Sequence, residues 1–317
     1  MKLHQLRSLI VVAEKGSIRE ASRVLHITQP AISKALSDLE TELGAPLLLR
    51  FNNGVQLTSY GQSLVRHARA IELEMQHAKE DIDNLLGIAR GNVTVGVTPA
   101  TATGPFAEAL KRFMRMHPHV SVNVRELRPL QLQEGLADGS IDLGLVSRIG
   151  QPVEPRFHWE ELYTIPTALA VRVDHPLRGK KSLRELAQSA WLSWDGFDDA
   201  TSLVGSLFSA NGVEPPSSVL RCTSTTLYVE MATTTDLISM WSALPFHMPE
   251  YNSKLRRVQI SEPLPNMTIG LICRDLALAT SIARALIDMI RESSGNMGAT
   301  FRRAGAIPRI KPPKGRE

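Results

Sequence analysis

SIREASRVLHITQPAISKALSDLETELG, residues 17–44, decides how the rest of the chain is read. Ser17 is followed three residues later by Glu20, a capping box in which each side chain can satisfy an orphan backbone N–H at a helix start. A short helix follows, with Ala21 and Leu25 on one face. Thr28 signals a second start, and Pro30 is tolerated in the first turn because its missing N–H would be unpaired there. Ile32, Leu36, Leu39 and Leu43 then recur at 4, 3 and 4, one apolar helix face. Gly44 stops the helix. Gln29, Ser33, Lys34 and Ser37 are left on the other face. Two short helices with a tight junction are what a helix-turn-helix needs. The first residues of the second helix must reach base edges, where Gln pairs bidentately with adenine and Ser and Lys serve bases or phosphates. The same spacing also fits an ordinary helical hairpin with a solvated polar face.

Working outward, Leu3 to Lys15 reads as a preceding helix with Leu6, Leu9, Ile10 and Ala13 inward. Residues 47–58, LLLRFNNGVQLT, form two extended runs around Asn52-Asn53-Gly54, a strong hairpin signal. From Leu3 to Gly61 the chain resembles the N-terminal winged helix-turn-helix of LysR-type transcriptional regulators. The resemblance is carried by Leu6, Ala13, Gly16-Ser17, Ala21-Ser22, Leu25, Thr28-Gln29-Pro30-Ala31-Ile32-Ser33, Leu39-Glu40, Leu43-Gly44, Pro46-Leu47, Arg50, Leu57-Thr58 and Gly61. It implies double-stranded DNA as a partner. Gln29, Ser33 and Lys34 are the expected groove contacts, and Thr28, Pro30, Arg50 and Asn52 the positioning ones, with Ser17 and Arg19 beside them. The family usually carries more positive charge at the positions of Asn53 and Gln56. The amides here imply weaker wing contacts.

At 317 residues, with 43% hydrophobic and 21% charged, the chain has the composition of an ordinary globular protein of two or more domains. The first apolar run is interrupted by Glu14 and Lys15, and no stretch reaches the roughly 18 apolar residues of a membrane span, so a cytoplasmic location and no membrane partner are expected. Cys222 and Cys273 lie far apart and are expected to be free buried thiols. The scattered histidines, His117 and His119 among them, make no metal pattern, and no metal or cofactor is expected. The net charge is +4, but residues 302–317 hold six basic residues against one acidic, a net +5, which leaves −1 for the rest. Residues 301–317 are therefore a basic tail, expected to be disordered. It is either solvated or a sequence-independent attraction for phosphates.

A long helix is expected from Thr58 to about Ile88. Leu64, Ala68, Ile71, Met75, Ala78, Ile82 and Leu85 alternate at 4 and 3, the heptad stripe of a helix–helix seam. The alternative is one amphipathic helix packed on its own domain. A seam implies a dimer, with a two-fold DNA site of interrupted inverted repeats, and the resemblance adds a tetramer. Gly87 and Gly91 flank the joint to the next domain. From residue 92 the pattern alternates strand and helix, which implies parallel strands. Strands are expected at Val93–Val97, Val120–Val124, Ile141–Val146, Ala168–Val173, Ala190–Ser193, Val219–Cys222, Leu237–Trp241 and Met267–Arg274. Helices are expected around Phe106–Phe113 and at Leu132–Ala137, Leu183–Gln188, Thr201–Ala210, Thr226–Ala232 and Ala277–Arg291.

The resemblance extends more weakly to about residue 295. It implies an α/β fold: the all-α-type winged helix-turn-helix at 1–58, a linker (dimerisation) helix at 59–90, and a two-lobed, periplasmic-binding-protein-like effector domain at 91–300. Lobe I is 91–163 with 268–295, and lobe II is 164–267. The stretch Thr233-Thr234-Thr235-Asp236 departs from a Gly-rich turn frequent in the family. Ligands of open α/β sheets bind outside the carboxyl ends of the strands. That rule selects the loops at Thr98, Pro99, Ala100 and Thr101, at Arg128 and Pro129, and at Ser147. Asp198, Ala200, Thr201 and Ser202 face them, with Thr223 to Thr226 opposite. Hydroxyls and N–H groups at helix starts can hold a small organic anion; the alternative is that the Thr and Ser serve only as helix caps. Arg128 and Arg148 can neutralise an anion or be solvated. A small organic acid, aromatic or not, is the expected effector. No Walker loop, G-x-S-x-G elbow, metal cluster or dinucleotide fingerprint is present, so catalysis is not expected. A purely architectural DNA-binding protein would not need a cleft.

Overall fold

The computed structural model describes residues 1–51, 54–86, 91–150, 154–179, 181–197 and 202–303. The chain opens with α1 (Leu3–Lys15), α2 (Ile18–Leu25) and α3 (Gln29–Leu43), then the hairpin β1 (Leu48–Phe51) and β2 (Gly54–Leu57). The start of α2 is half of the expected box. The Ser17 side chain accepts the Glu20 N–H at 3.4 Å, but the Glu20 carboxylate turns away to accept from Arg23 Nη1 at 2.8 Å. An ion pair one turn away outcompetes the reciprocal bond on this exposed helix. Thr28 caps α3 by accepting the Ala31 N–H at 3.4 Å, and Gly44 ends it at φ 64°. Ile32, Leu36 and Leu39 are fully buried against Leu6, Leu9, Val12 and Leu47. Leu43, expected on that face, is 44% exposed, because the last turn of α3 runs past the edge of so small a core.

The hairpin is tied down at both ends. The Val55 N–H donates to the Gly16 carbonyl at 2.9 Å, and one Glu40 oxygen accepts the Leu47 and Leu48 N–H groups at 2.7 and 3.2 Å. The turn residues Asn52 and Asn53 lie outside the described residues.

α4 (Ser59–Leu85) follows. Its apolar stripe divides. Leu64, Val65 and Ala68 complete the core of the three-helix head, whereas Ile71, Met75 and Ile82 are 39%, 52% and 58% exposed. The stripe was expected to be one seam throughout. Its first turns are instead claimed by α1, since heptad spacing does not distinguish an internal neighbour from another chain. The Leu85 side chain and Gly87 lie outside the described residues.

The remaining elements are β3 (Asn92–Val97), α5 (Pro105–Met116), β4 (Ser121–Glu126), α6 (Pro129–Asp138), β5 (Leu143–Arg148), β6 (His158–Arg172), α7 (Leu183–Leu186), β7 (Trp191–Ser193), α8 (Leu203–Ala210), β8 (Val219–Arg221), α9 (Thr225–Thr234), β9 (Ile238–Ser242), α10 (Pro249–Asn252), β10 (Leu255–Val258), β11 (Asn266–Cys273) and α11 (Ser281–Arg303). The strands run β4-β3-β5-β11-β6-β9-β7-β8, with β10 beside β6. β3 is parallel to β4 and β5, and β7 is parallel to β8 and β9, as the alternating pattern requires. β11 and β6 are antiparallel to each other and join the two sets.

β6 is more than twice as long as the expected strand from Ala168. It pairs with β11 from His158 to Pro166, then with β9 and β10 from Thr167 to Arg172. Its burial alternates from Leu162 to Thr167 and is continuous from there to Val171, where the strand enters the second core. β10 had no expectation. The two cores lie on either side of this crossing. One is built on Val93, Val95, Phe113, Leu145 and Leu286, the other on Leu169, Leu183, Trp191, Phe208 and Ile238. Cys222 and Cys273 are free and buried, and burial pushes the Cys273 thiol up to about 11. α11 runs on to Arg303, past the expected tail boundary, and residues from 304 lie outside the described ones. Among the described residues no helix is long and apolar enough to cross a membrane, and no cluster of His, Cys, Asp and Glu could hold a metal ion.

Candidate functional site

Two surfaces collect the candidate residues. On the head, Thr28, Gln29 and Pro30 begin α3 and are exposed, with Lys34 exposed one turn on and Ser33 half-buried beside it. Ser17 caps the neighbouring α2 and is half-buried, and Arg19 is exposed in its first turn. Arg50 is exposed on β1. The Val55 bond to Gly16 holds β2 beside the start of α2, and the Glu40 bonds hold the start of β1 beside the last turns of α3. Sequence reading placed Glu40 only as a matching residue, and its role in seating the wing needed the structure. Arg19, Lys34 and Arg50 make no ion pair among the described residues. Other cations of the head are engaged: Arg23 with Glu20 at 2.8 Å, Arg69 with Glu14 at 3.1 Å, Arg7 with Glu72 at 3.5 Å. The head therefore presents hydrogen-bonding side chains and uncompensated positive charge around one exposed helix start. That combination suits base edges and phosphates. Asn52 lies outside the described residues.

The second surface is where the two halves of the sheet meet. Pro99–Thr101 form a 3-10 turn after β3. The Thr98 and Ser147 hydroxyls are 3.3 Å apart, so β3 and β5 end on one polar patch. Thr101 is turned inward at 1% exposure. Its hydroxyl accepts the Thr98 N–H at 3.0 Å and is directed at the Leu145 and Thr98 carbonyls, each at 2.9 Å, so it shapes the loop rather than facing the cleft.

Ser202 is likewise occupied. It caps α8 by accepting the Gly205 N–H at 2.9 Å and donates to the Gly196 carbonyl at 2.8 Å. The capping alternative is thus the one the geometry realises for Ser202. Ala100 reaches an apolar floor made by Tyr163, Ile165, Leu203, Leu244, Met267 and Ile269, where the turn after β3 meets the start of α8. Burial raises the Tyr163 hydroxyl to about 12, so it stays neutral.

Across the rim, Thr225 at the start of α9 donates to the Glu126 carboxylate at the end of β4. Thr225 belongs to the segment expected to lie opposite. Glu126 had no expectation, since an acid at the end of a strand carries no local signal. Arg128 and Pro129 are exposed at the start of α6. The Arg148 guanidinium lies 4.8 Å over the Trp159 ring, and its Nη2 is buried with no hydrogen-bond partner. Burial lowers its pKa, the mark of a cation short of solvation. Asp198, Ala200 and Thr201 lie outside the described residues.

Two family models match the chain. The family model described as "Bacterial regulatory helix-turn-helix protein, lysR family" matches residues 3–62, and "LysR substrate binding domain" matches residues 87–295. The transcriptional regulator GbpR of Azospirillum brasilense is 28% identical over 246 residues, 76% of this chain and 72% of that protein. The nitrogen assimilation regulatory protein nac of Klebsiella aerogenes is 32% identical over 171 residues, 53% of this chain and 56% of that protein. Among solved structures, CbnR, a LysR family transcriptional regulator, superposes with a TM-score of 0.62 at 21% identity, covering 93% of this chain and 99% of that one. A full-length OxyR variant from Pseudomonas aeruginosa gives 0.66 at 20% identity, covering 93% and 94%. These superpositions show a shared fold.

Proposed function

The chain belongs to the LysR family of bacterial transcriptional regulators, and from that premise we propose that it holds a small organic anion, with an aromatic or other apolar body, between its two lobes and adjusts its grip on promoter DNA accordingly. It is a DNA-binding regulator with an effector-binding domain, not an enzyme. The observation that carries the ligand class is Arg148, a partly buried guanidinium with an unmet donor at the carboxyl end of β5, next in sequence to Ser147. A carboxylate or sulfonate satisfies that donor, as a neutral ligand does only in part. The apolar floor at Ala100, Tyr163, Leu203 and Leu244 suits a ring or short chain. Thr98, Pro99, Ala100, Ser147 and Arg128 complete the proposed wall; Asp198, Ala200 and Thr201, outside the described residues, are further proposed contacts.

On this reading residues 1–58 are the reading head, 59–90 the linker and 91–300 the effector domain. The exposed Ile71, Met75 and Ile82 of α4 pair with a second copy, and effector domains extend the dimer to a tetramer. Two heads on one seam read an interrupted inverted repeat, with Gln29, Ser33 and Lys34 in the groove and Ser17, Arg19, Thr28, Pro30, Arg50 and Asn52 on the backbone. The protein works in the cytoplasm, where its DNA is. An effector acts only through a difference in affinity for the open and closed lobes.

Footprinting of the purified full-length protein on its own genomic DNA, with and without a panel of aromatic and aliphatic acids, tests the proposal. A protected two-fold site whose boundaries shift with one acid supports it. Protection that no acid alters, together with no calorimetric binding of any acid, overturns the ligand class. Absence of specific protection at low salt overturns the DNA assignment.

A further inference from the structure

The second half of α4 has a face that the dimer reading does not use. Leu73, His77 and Asp81 recur every four residues and point at the sheet domain. The Leu73 side chain sits over Gly139, where an added Cβ would lie 2.4 Å from Leu73 Cδ2. Asp81 accepts the Ser281 N–H at 2.9 Å, and Glu74 lies 3.7 Å from Arg274. At the centre, His77 Nε2 is 3.2 Å from Asp142 Oδ1, with the two side chains only 11% and 12% exposed. Asp142 is itself anchored: its Oδ2 accepts the Thr94 N–H at 2.7 Å, and its own N–H donates to the Thr94 carbonyl at 2.9 Å.

We propose that His77 and Asp142 form a protonation-dependent latch that holds the long helix, and with it the DNA-reading head, against the first lobe. Nε2 carries the hydrogen that Asp142 accepts in either charge state. The proton that comes and goes is on Nδ1, which is buried and without a hydrogen-bond partner. Its loss turns an ion pair into a single hydrogen bond and loosens the latch. A cavity of about 20 Å³ lined by His77, Asp142, Arg274, Asp275 and Thr280 adjoins the ring, roughly the room one water needs. The charged groups around the imidazole are Asp142 from the sheet domain, Glu74, Glu80 and Asp81 from α4, Arg274 from the end of β11 and Asp275 from the turn after it. Thr280, just ahead of α11, and Ala283 in its first turn line the same cavity.

The Asp142 hydrogen bond raises the pKa of His77 above 6.5 against the opposing pull of burial, and Asp142, Glu74 and Glu80 add coulombic support. A raised value in the docked state means that docking binds the proton more tightly. The latch is therefore fully present below pH 6.5 and is lost as pH rises through the docked value. It rests on the chain's own contacts and needs no effector.

Hydrogen exchange of the full-length protein from pH 6 to pH 9, corrected for the chemical exchange rate, reads the latch in residues 73–83 and at the Thr94 amide. The expected result is a several-fold fall in protection of that segment with rising pH, absent from residues 6–12 and abolished in His77→Gln. An unchanged pH step in His77→Gln, or no step in the wild type, overturns the proposal. Should that variant fold poorly, the wild-type His77 imidazole titrated by NMR decides the matter. A pKa above 6.5 agrees with the latch, and one at or below it overturns it.

Discussion

The two candidate surfaces are built by opposite rules. The head draws its caps, its core face and most of its expected DNA contacts from 28 consecutive residues, 17–44. The cleft draws on separate segments at Thr98–Thr101, Glu126, Ser147–Arg148, Tyr163–Ile165, Ser202–Leu203, Thr225 and Leu244, which only the sheet topology brings together. The difference extends to what the polar groups do. Gln29, Lys34 and Arg50 are exposed and unpaired among the described residues, whereas Thr98, Thr101 and Ser202 are at most 5% exposed and bonded to neighbouring groups of the protein. A surface that reads DNA can keep its donors in water until the partner arrives. A cleft that must keep its shape with and without ligand engages most of its hydroxyls in its own walls, and Arg148 is the exception.

If the head is a separately stabilised unit, damage to its core should stay there. Leu36 is fully buried among Leu6, Leu9, Leu39 and Leu47. Leu36→Ala is expected to cost about 2–5 kcal/mol, lowering one calorimetric transition while a second, from the α/β cores, stays in place. A single transition moving as a whole would show that α4 makes the two regions one cooperative block, and the comparison would need redrawing.

The head was legible because its signals are short-range. Thr28 and Gly44 mark the ends of α3, and the spacing of Ile32, Leu36 and Leu39 marks its buried face. Where local signals compete, the reading failed. Glu20 was drawn off by Arg23, and the upper part of the α4 stripe went to the chain's own core. In the sheet domain the strands were legible as alternating runs, but their order was not. The first half of β6 hides in HWEELYT, whose charged residues mask a crossing strand covered on one side. Glu126 carried no local signal, and Arg148 was equally an anion contact or a solvated charge until β4, β5 and α9 were placed. Local pattern encodes elements, and site chemistry in an assembled cleft depends on contacts distant in sequence.

The same comparison predicts that a DNA-contact substitution in the head changes affinity without changing stability. Gln29 is exposed and contributes nothing to the buried core. Gln29→Ala is expected to weaken specific operator binding by about 1–3 kcal/mol per lost base pairing, with an unaltered melting curve. It should also relax preference at one base pair per half-site in a competition series. An operator preference identical to wild type would remove Gln29 from the groove and leave Ser33 and Lys34 as the readers.

The smallest expected effect falls where the head breaks its own rule. All three of its first helices end in a left-handed residue. Two of these are glycines, Gly16 at φ 61° and Gly44 at φ 64°, but α2 ends in His26 at φ 54°, the one non-glycine with positive φ among the described residues. An L side chain there costs about 1–2 kcal/mol relative to glycine, and His26 is exposed, so no packing offsets the cost. His26→Gly is therefore expected to raise the denaturation midpoint of the head by the equivalent of about 1 kcal/mol, less whatever glycine adds to the freedom of the unfolded chain. Operator affinity measured beside it separates two meanings of the strain. Unchanged affinity makes the histidine a tolerated local misfit. Weaker binding in a more stable head would mean that the imidazole, one residue ahead of Ile27 and two ahead of the Thr28 cap, is kept for the DNA side of the turn. The strain would then belong with the donors that the head leaves uncommitted.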